Sequence, residues 1–213
     1  MNIRIFGLLL ALVTLPFTPA SAEDDYAAGI DYERITPPMT VKEPGKVEVY
    51  EFFWYGCPHC YQFEPHLANW VKRKPDNVEV IRVPAIFNNP NWETHARAYY
   101  TAELLGVLDR IHGQLFSAIH DKRQRLNSRD ALREFFAARG VEPDKFDKTF
   151  DSFAVESKVR RARDLTERSG INGVPAMVVD GEYRITASQA ASYKRLIGIT
   201  GYLANKVSAE GEE

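Results

Sequence analysis

Cys57 and Cys60 are the only two cysteines among 213 residues, and both lie in the stretch EFFWYGCPHCYQFEP, Glu51 to Pro65. Thiols at this spacing can crosslink the chain, hold half of a metal site, reduce a disulfide or donate one. A crosslink for its own sake fits poorly. The loop it closes is so short that little chain entropy is removed, and a chain of this length with 45% hydrophobic content buries a core without one. A zinc or copper carrier could draw on Cys57, His59 and Cys60. A closed zinc site wants four ligands, however, and the sequence has neither a second Cys-x-x-Cys nor a His-x-x-x-His. The remaining histidines, His66, His95, His112 and His120, are scattered and read as packed or surface side chains. A Cys-His hydrolase has no use for a second cysteine so near its nucleophile. Thiol-disulfide exchange, by contrast, needs this asymmetry: one accessible sulfur that forms a mixed disulfide and one inner sulfur that resolves it.

The direction of electron flow follows from which sulfur holds charge. Cys57 is expected at a helix start, where unpaired backbone N-H groups and the positive end of the helix dipole favour a thiolate, with His59 adding to the field. Cys60, inside the helix, lacks those donors and is expected to be buried. A fall of the Cys57 pKa from about 8.5 to about 5 would stabilise the reduced form by roughly 2.7 kcal/mol at pH 7, or about 60 mV of oxidising power. A helix terminus supplies at most about 2 kcal/mol, so His59 and direct hydrogen bonds must contribute the rest. A protein biased in this way gives its disulfide away. A resting reduced pair would instead suit an isomerase or reductant.

These sulfurs need elements to hold them. Val47 to Trp54 reads as a buried strand rich in valine and aromatics. Pro58 has the fixed φ and missing N-H suited to the first helical position, so a helix is predicted from Cys57 to about Lys72, kinked at Pro65. Val78 to Pro84 alternates as a second strand, giving a strand-helix-strand unit with parallel strands. From Asn91 to about Arg168 apolar residues recur at three- and four-residue steps. Ser128 is a predicted cap, Gly140 a terminator, and Phe146, Phe150 and Phe153 a continuing apolar stripe. Arg160, Arg161 and Arg163 read as a solvated helix face. Asp180-Gly181 is a predicted hairpin turn between Met177 to Val179 and Tyr183 to Ile185, followed by one helix over Ser188 to Lys206.

The first residues carry an address. Arg4, the apolar run Ile5 to Leu15, Pro16 and Ala20-Ser21-Ala22 together predict a signal peptide over 1–22 cleaved after Ala22. The run is shorter than a membrane span. Export would place the cysteines where disulfides persist. A net charge of -2, with no Lys/Arg cluster interleaved with aromatics, argues against nucleic acid as a partner.

FFWYGCPHCYQFEP together with GVPAMVVDGEYRI resembles the DsbA family of periplasmic thiol-disulfide oxidoreductases, over nearly the whole chain beyond the leader. The resemblance implies an α/β fold: a thioredoxin-like domain over 23–86 and 171–207 and an inserted all-helical domain over 87–170; the residues SAEGEE themselves read as a flexible tail at 208–213. The resemblance makes Cys57 the attacking sulfur, Cys60 the buried one and Pro58-His59 the tuning dipeptide. Pro175 becomes a cis-proline facing the sulfurs, Val174 a backbone contact for an extended substrate, and Glu51 an acid beneath the active-site helix that relays a proton for Cys60. It also implies a monomer without cofactor beyond the Cys57-Cys60 disulfide, unfolded exported polypeptides as substrates, and a DsbB-like membrane reoxidase coupled to quinone. Glu51 otherwise reads as a capped or solvated strand carboxylate. Trp54, Tyr55 and Phe63 read as core or as a groove for apolar peptide, and the loop Pro84 to Asn91 aligns with no family pattern.

Overall fold

The computed structural model describes residues 26–40 and 45–211. The predicted leader and its cleavage site at Ala22 lie outside the described residues, as does the end of the tail at 212–213. Among the described residues no helix is long and apolar enough to cross a membrane.

Strand β1 is the short segment Glu33–Arg34 and β2 is Val47–Phe53, buried along its whole length. A strand buried on both faces loses the polar alternation of a half-exposed one, which is why VEVYEFF is so rich in apolar residues. Helix α1 (Pro58–Val71) crosses over to β3 (Val78–Pro84), which pairs with β2 in parallel and places Glu51 opposite Arg82. Pro65 lies inside α1, and the helix continues through it to Val71.

The middle of the chain is helical: α2 (Pro90–Leu104), α3 (Leu108–His120), α4 (Arg129–Ala137), α5 (Pro143–Phe150) and α6 (Phe153–Ser169). Side-chain caps start three of these helices. Asn89, Ser128 and Ser152 accept from the backbone N-H groups of Asn91, Ala131 and Val155, each bond contributing about 1 kcal/mol. Gly170, at φ 63, ends α6 in the left-handed conformation that a side chain would disfavour. Phe146 and Phe150 are buried as predicted, but Phe153 is 77% exposed. It is the first residue of α6, and Val155 and Val159 fill the core-facing positions in its place.

The chain then returns to the sheet through β4 (Ala176–Val179), antiparallel to β2, and β5 (Tyr183–Thr186), antiparallel to β4. Asp180 and Gly181 both have positive φ, 51 and 67, and Glu182 N-H bonds Val179 O, as a tight hairpin requires. The order is β1-β5-β4-β2-β3. The predicted single last helix is two: α7 (Ala187–Ala190) and α8 (Tyr193–Glu210). Ala191 at φ 60 breaks the run and Ser192 caps the new start, while Thr186 and Gln189 form a reciprocal capping box on α7. Helix α8 also takes in Ser208 to Glu210, which the sequence assigned to a flexible tail.

The two faces of β2 separate the layers. Val47 and Val49 share a buried cluster with Phe63 and Leu67 of α1 and with Leu196, Ile199 and Leu203 of α8. Tyr50 and Phe52 join the helical segment through Ala162 and Leu165 of α6. This mixed sheet with helices on both faces is a thioredoxin-like fold interrupted by helices.

Candidate active site

Cys57 is the N-cap of α1, with extended φ and ψ of -92 and 116, and Pro58 occupies the first helical turn. Its side chain therefore faces the helix's unpaired N-H groups. The Cys57 thiol is pulled down to about 6: the Cys60 S-H hydrogen bond contributes most, partial burial opposes it, and the backbone N-H groups of Cys60 and His59 follow. The His59 imidazole charge is the smallest of these influences, less than the sequence assigned to it. His59 is exposed and its Nδ1 lies 3.2 Å from Tyr193 OH. The Tyr193 hydroxyl donates to Gln62 Oε1 at 3.1 Å, so His59 Nδ1 is the donor in that pair. Cys60 is fully buried. Burial, and then its hydrogen bond and proximity to the Cys57 charge, hold its thiol well above the ordinary range.

The Val174-Pro175 peptide is cis, and Val174 O lies 3.5 Å from Cys57 Sγ, accepting from it when the sulfur is protonated. Pro175 is buried, and its carbonyl accepts from Ala187 N-H, fastening the loop to the end of β5. Val174 is half-buried. A groove of about 580 Å³ opens beside the sulfurs, lined among others by His59, Val174, Pro175, Thr186 and Tyr193. The αL break at Ala191 gives this groove its far wall, because Ser192 and Tyr193 turn toward His59 only where the last helix restarts.

Beneath Cys60 lies a buried ionic chain. Glu51 is fully buried, not solvated, and its Oε2 accepts from Arg82 Nε at 2.9 Å. Arg82 Nη2 donates to Glu64 Oε2 at 3.0 Å, and Glu64 Oε1 accepts from His112 Nε2 at 3.1 Å. His112 Nδ1 is 2.8 Å from the hydroxyl of buried Tyr55. Burial first, then the Glu64 charge, raises Glu51 to about 8 against the pull of Arg82, and its Oε1 has no hydrogen-bond partner. Burial also pushes Glu64 up, but the hydrogen bond from His112 and the Arg82 charge outweigh it, leaving the carboxyl below its usual range. Glu51 is thus the acid that holds a proton near neutrality, and its charge is felt at Cys60. Sequence reasoning had missed Glu64, Arg82 and His112. Two signals pointed to the first two and none to His112: Glu64 stands four residues after Cys60, on the same helix face, and Arg82 is the single cation in β3.

Tyr55 and Phe63 are core side chains. Trp54 is half-buried and stacked on Trp92, with ring centroids 4.3 Å apart. In the loop Pro84 to Asn91, Ala85 N-H bonds Phe53 O, Ile86 N-H bonds Thr166 Oγ1, and Asn89 caps α2, so these residues dock the helical segment onto the sheet. Among the described residues no group of three or more His, Cys, Asp or Glu is arranged to hold a metal ion.

A family model described as a DSBA-like thioredoxin domain matches residues 48–197. The chain is 37% identical over 209 residues to the thiol:disulfide interchange protein DsbA of Pseudomonas aeruginosa, covering 98% of each chain. To the DsbA of Bordetella parapertussis it is 41% identical over 184 residues, covering 86% of this chain and 87% of that one. The crystal structure of Pseudomonas aeruginosa DsbA superposes with a TM-score of 0.84, covering 89% of this chain and 98% of that one. That of Xylella fastidiosa DsbA gives 0.78 at 36% identity, covering 84% and 96%.

Proposed function

The chain belongs to the DsbA family and is a thiol:disulfide oxidoreductase, and from that premise we propose that it is an oxidase, donating the Cys57-Cys60 disulfide to newly exported, unfolded proteins in the periplasm. The observation that carries this reading is the sulfur asymmetry: a Cys57 thiol held down to about 6 beside a Cys60 thiol held far up. A substrate thiolate attacks Cys57 Sγ of the disulfide. The Cys57-Cys60 bond breaks and Cys60 leaves with the electron pair, taking a proton because its buried site does not tolerate charge. A second substrate thiolate then attacks the mixed disulfide, forming the substrate disulfide and releasing Cys57 as a thiolate. Two electrons pass from the substrate dithiol to the protein, and Cys57 is the better leaving group because its charge is the better stabilised.

Glu51 supplies the proton that Cys60 takes up; what supports this role is that it is the buried carboxyl that still holds a proton near neutral pH. Val174 offers main chain to an extended segment and the adjoining groove holds side chains loosely, so the protein reads backbone more than sequence. The redox group is the disulfide itself, with no bound cofactor, and the protein works as a monomer. A DsbB-like membrane protein coupled to quinone returns the two electrons to the respiratory pool.

The test is oxidation of a reduced, unfolded disulfide protein by the oxidised chain. The native protein is expected to form substrate disulfides rapidly, Cys57→Ser to be inert, and Cys60→Ser to accumulate a covalent complex through Cys57. Failure of the native chain to oxidise the substrate, or a complex trapped through Cys60, overturns the assignment.

A further inference from the structure

Arg82 faces two carboxylates, Glu51 from β2 and Glu64 from α1, and one guanidinium does not neutralise both in a buried site. Something must decide which acid keeps a proton. Burial already favours the proton on Glu51, whose side chain is fully buried while that of Glu64 is 17% exposed, and α3 widens the difference: Glu64 Oε1 has a second donor in His112 Nε2 at 3.1 Å, while Glu51 Oε1 is buried without any partner.

The protonation of His112 is itself fixed by geometry. Tyr55 is fully buried, and its hydroxyl proton needs an acceptor. His112 Nδ1, 2.8 Å away, is that acceptor only when it carries no proton. The imidazole proton is then on Nε2, which faces Glu64. Charging His112 would put a second proton on Nδ1, between the ring and the tyrosine, and strand a buried hydroxyl hydrogen. Burial acts in the same sense, holding the His112 pKa below the ordinary histidine value against the pull of Glu64.

We propose that His112, locked by Tyr55 as the neutral Nε2-H tautomer, is a positioning residue that keeps Glu64 ionised and thereby assigns the exchangeable proton to Glu51 beneath Cys60. The helical segment in this way reaches the chemistry without touching a sulfur. The proposal deepens the oxidase reading and rests on it.

The groups facing Glu51 are Cys60 and Glu64 from α1, Arg82 from β3, Tyr99 from α2 and Tyr55 before the active-site cysteines. His112 faces Tyr55, Glu64, Arg82 and Asp109. Tyr55 and Tyr99 ionise only far above neutrality and Arg82 stays charged, so between pH 6 and 9 the outcome is decided by the two carboxyls and the sulfurs.

The test follows the buried carboxylic acid of the reduced, full-length protein by its infrared C=O band as a function of pH. The band is assigned by its loss in Glu51→Gln. In the native protein it is expected to titrate near 8. In His112→Phe the Glu64 carboxylate loses its donor and takes up a proton more readily, and the Glu51 midpoint moves down by about one pH unit. In His112→Gln an amide can accept from Tyr55 and donate to Glu64, and the native midpoint returns. Tyr55→Phe gives an independent arm that does not disturb the carboxylates directly. Its His112 ring is expected to take up a proton at higher pH than that of the native protein, read from the ring resonances. An unmoved midpoint in His112→Phe, a His112→Gln variant that behaves like His112→Phe, or a His112 that takes up its proton no higher in Tyr55→Phe than in the native protein overturns the proposal. Because native oxidase activity is measured separately, none of these results bears on the assignment of Cys57 and Cys60.

Discussion

Reduction and pH together give the sharpest handle on the charge held at Cys57. The perturbation is to reduce the protein and lower the pH from 7 to 5, comparing reduced and oxidised forms at each. With the folded thiol at about 6 and the unfolded thiol near its ordinary value of about 8.5, thiolate linkage stabilises the reduced fold by about 1.4 kcal/mol at pH 7. The sign follows from a depressed acid. The full contribution is present above the unfolded pKa and is lost as pH falls through the folded one, so almost nothing is left at pH 5. An opposing effect is independent of pH: closing the short Cys57-Cys60 loop favours the oxidised fold by about 2 kcal/mol in the chain-entropy account. Which form melts higher at one pH is therefore a balance of unlike effects. The change of the difference with pH isolates the thiolate. For a chain of this size about 1.4 kcal/mol corresponds to about 3 to 6 °C. Calorimetric melts are expected to show the reduced form losing that amount relative to the oxidised form between pH 7 and 5, equivalent to about 30 mV of oxidising power. A reduced form that holds its melting temperature relative to the oxidised form, or gains on it, as the solution is acidified would refute the thiolate argument and the direction of electron flow that rests on it.

Other expectations follow from the same site. Cys60→Ala removes the hydrogen bond that does most to lower the Cys57 thiol, so the alkylation-rate profile of Cys57 should move to higher pH; a profile still centred near 6 would assign the effect to the helix N-terminus. Glu51→Gln keeps an acceptor for Arg82 without the buried charge. Because the folded pKa of Glu51 is raised, the native protein is penalised above the unfolded carboxyl pKa, so the variant should melt higher than native at pH 7, with the gain vanishing below pH 4; a lower melt at pH 7 would show that the Glu51 charge supports the fold. Gly56→Ala would drive a Cβ into the Trp54 ring, which its stack on Trp92 holds in place, so a cost of about 1 to 3 kcal/mol is expected in denaturant melts together with altered tryptophan emission; a neutral substitution would mean the stack yields freely.

What could be foreseen and what could not differ by the kind of information each needs. The elements carrying the sulfurs were legible because their signals are local. VEVYEFF is followed, after Trp54, Tyr55 and Gly56, by a Cys-Pro pair suited to a helix start, and Asp180-Gly181 suits a hairpin turn. The break between α7 and α8 was harder, since Ala191 takes a left-handed φ with no glycine to announce it. The capping box at Thr186 and Gln189 was the available warning.

Glu51 exposes a deeper limit. Its burial is not a property of β2 but of three other elements: Arg82 arrives by strand register, Glu64 by helix periodicity, and His112 from a helix some fifty residues farther along the chain than Glu64. Periodicity supplies the first two once the parallel pairing is known. Nothing in the sequence sets α3 against α1. That contact depends on Tyr55 presenting its hydroxyl inside an aromatic cluster with Phe53, Phe116 and His112 itself. The aromatic run before Cys57, which from sequence alone read as core or as a groove for apolar peptide, is therefore also the surface on which the helical segment fixes the electrostatics under Cys60. Tyr55 is the residue where the two roles meet, because a phenylalanine would fill the same space and leave His112 free to take a second proton.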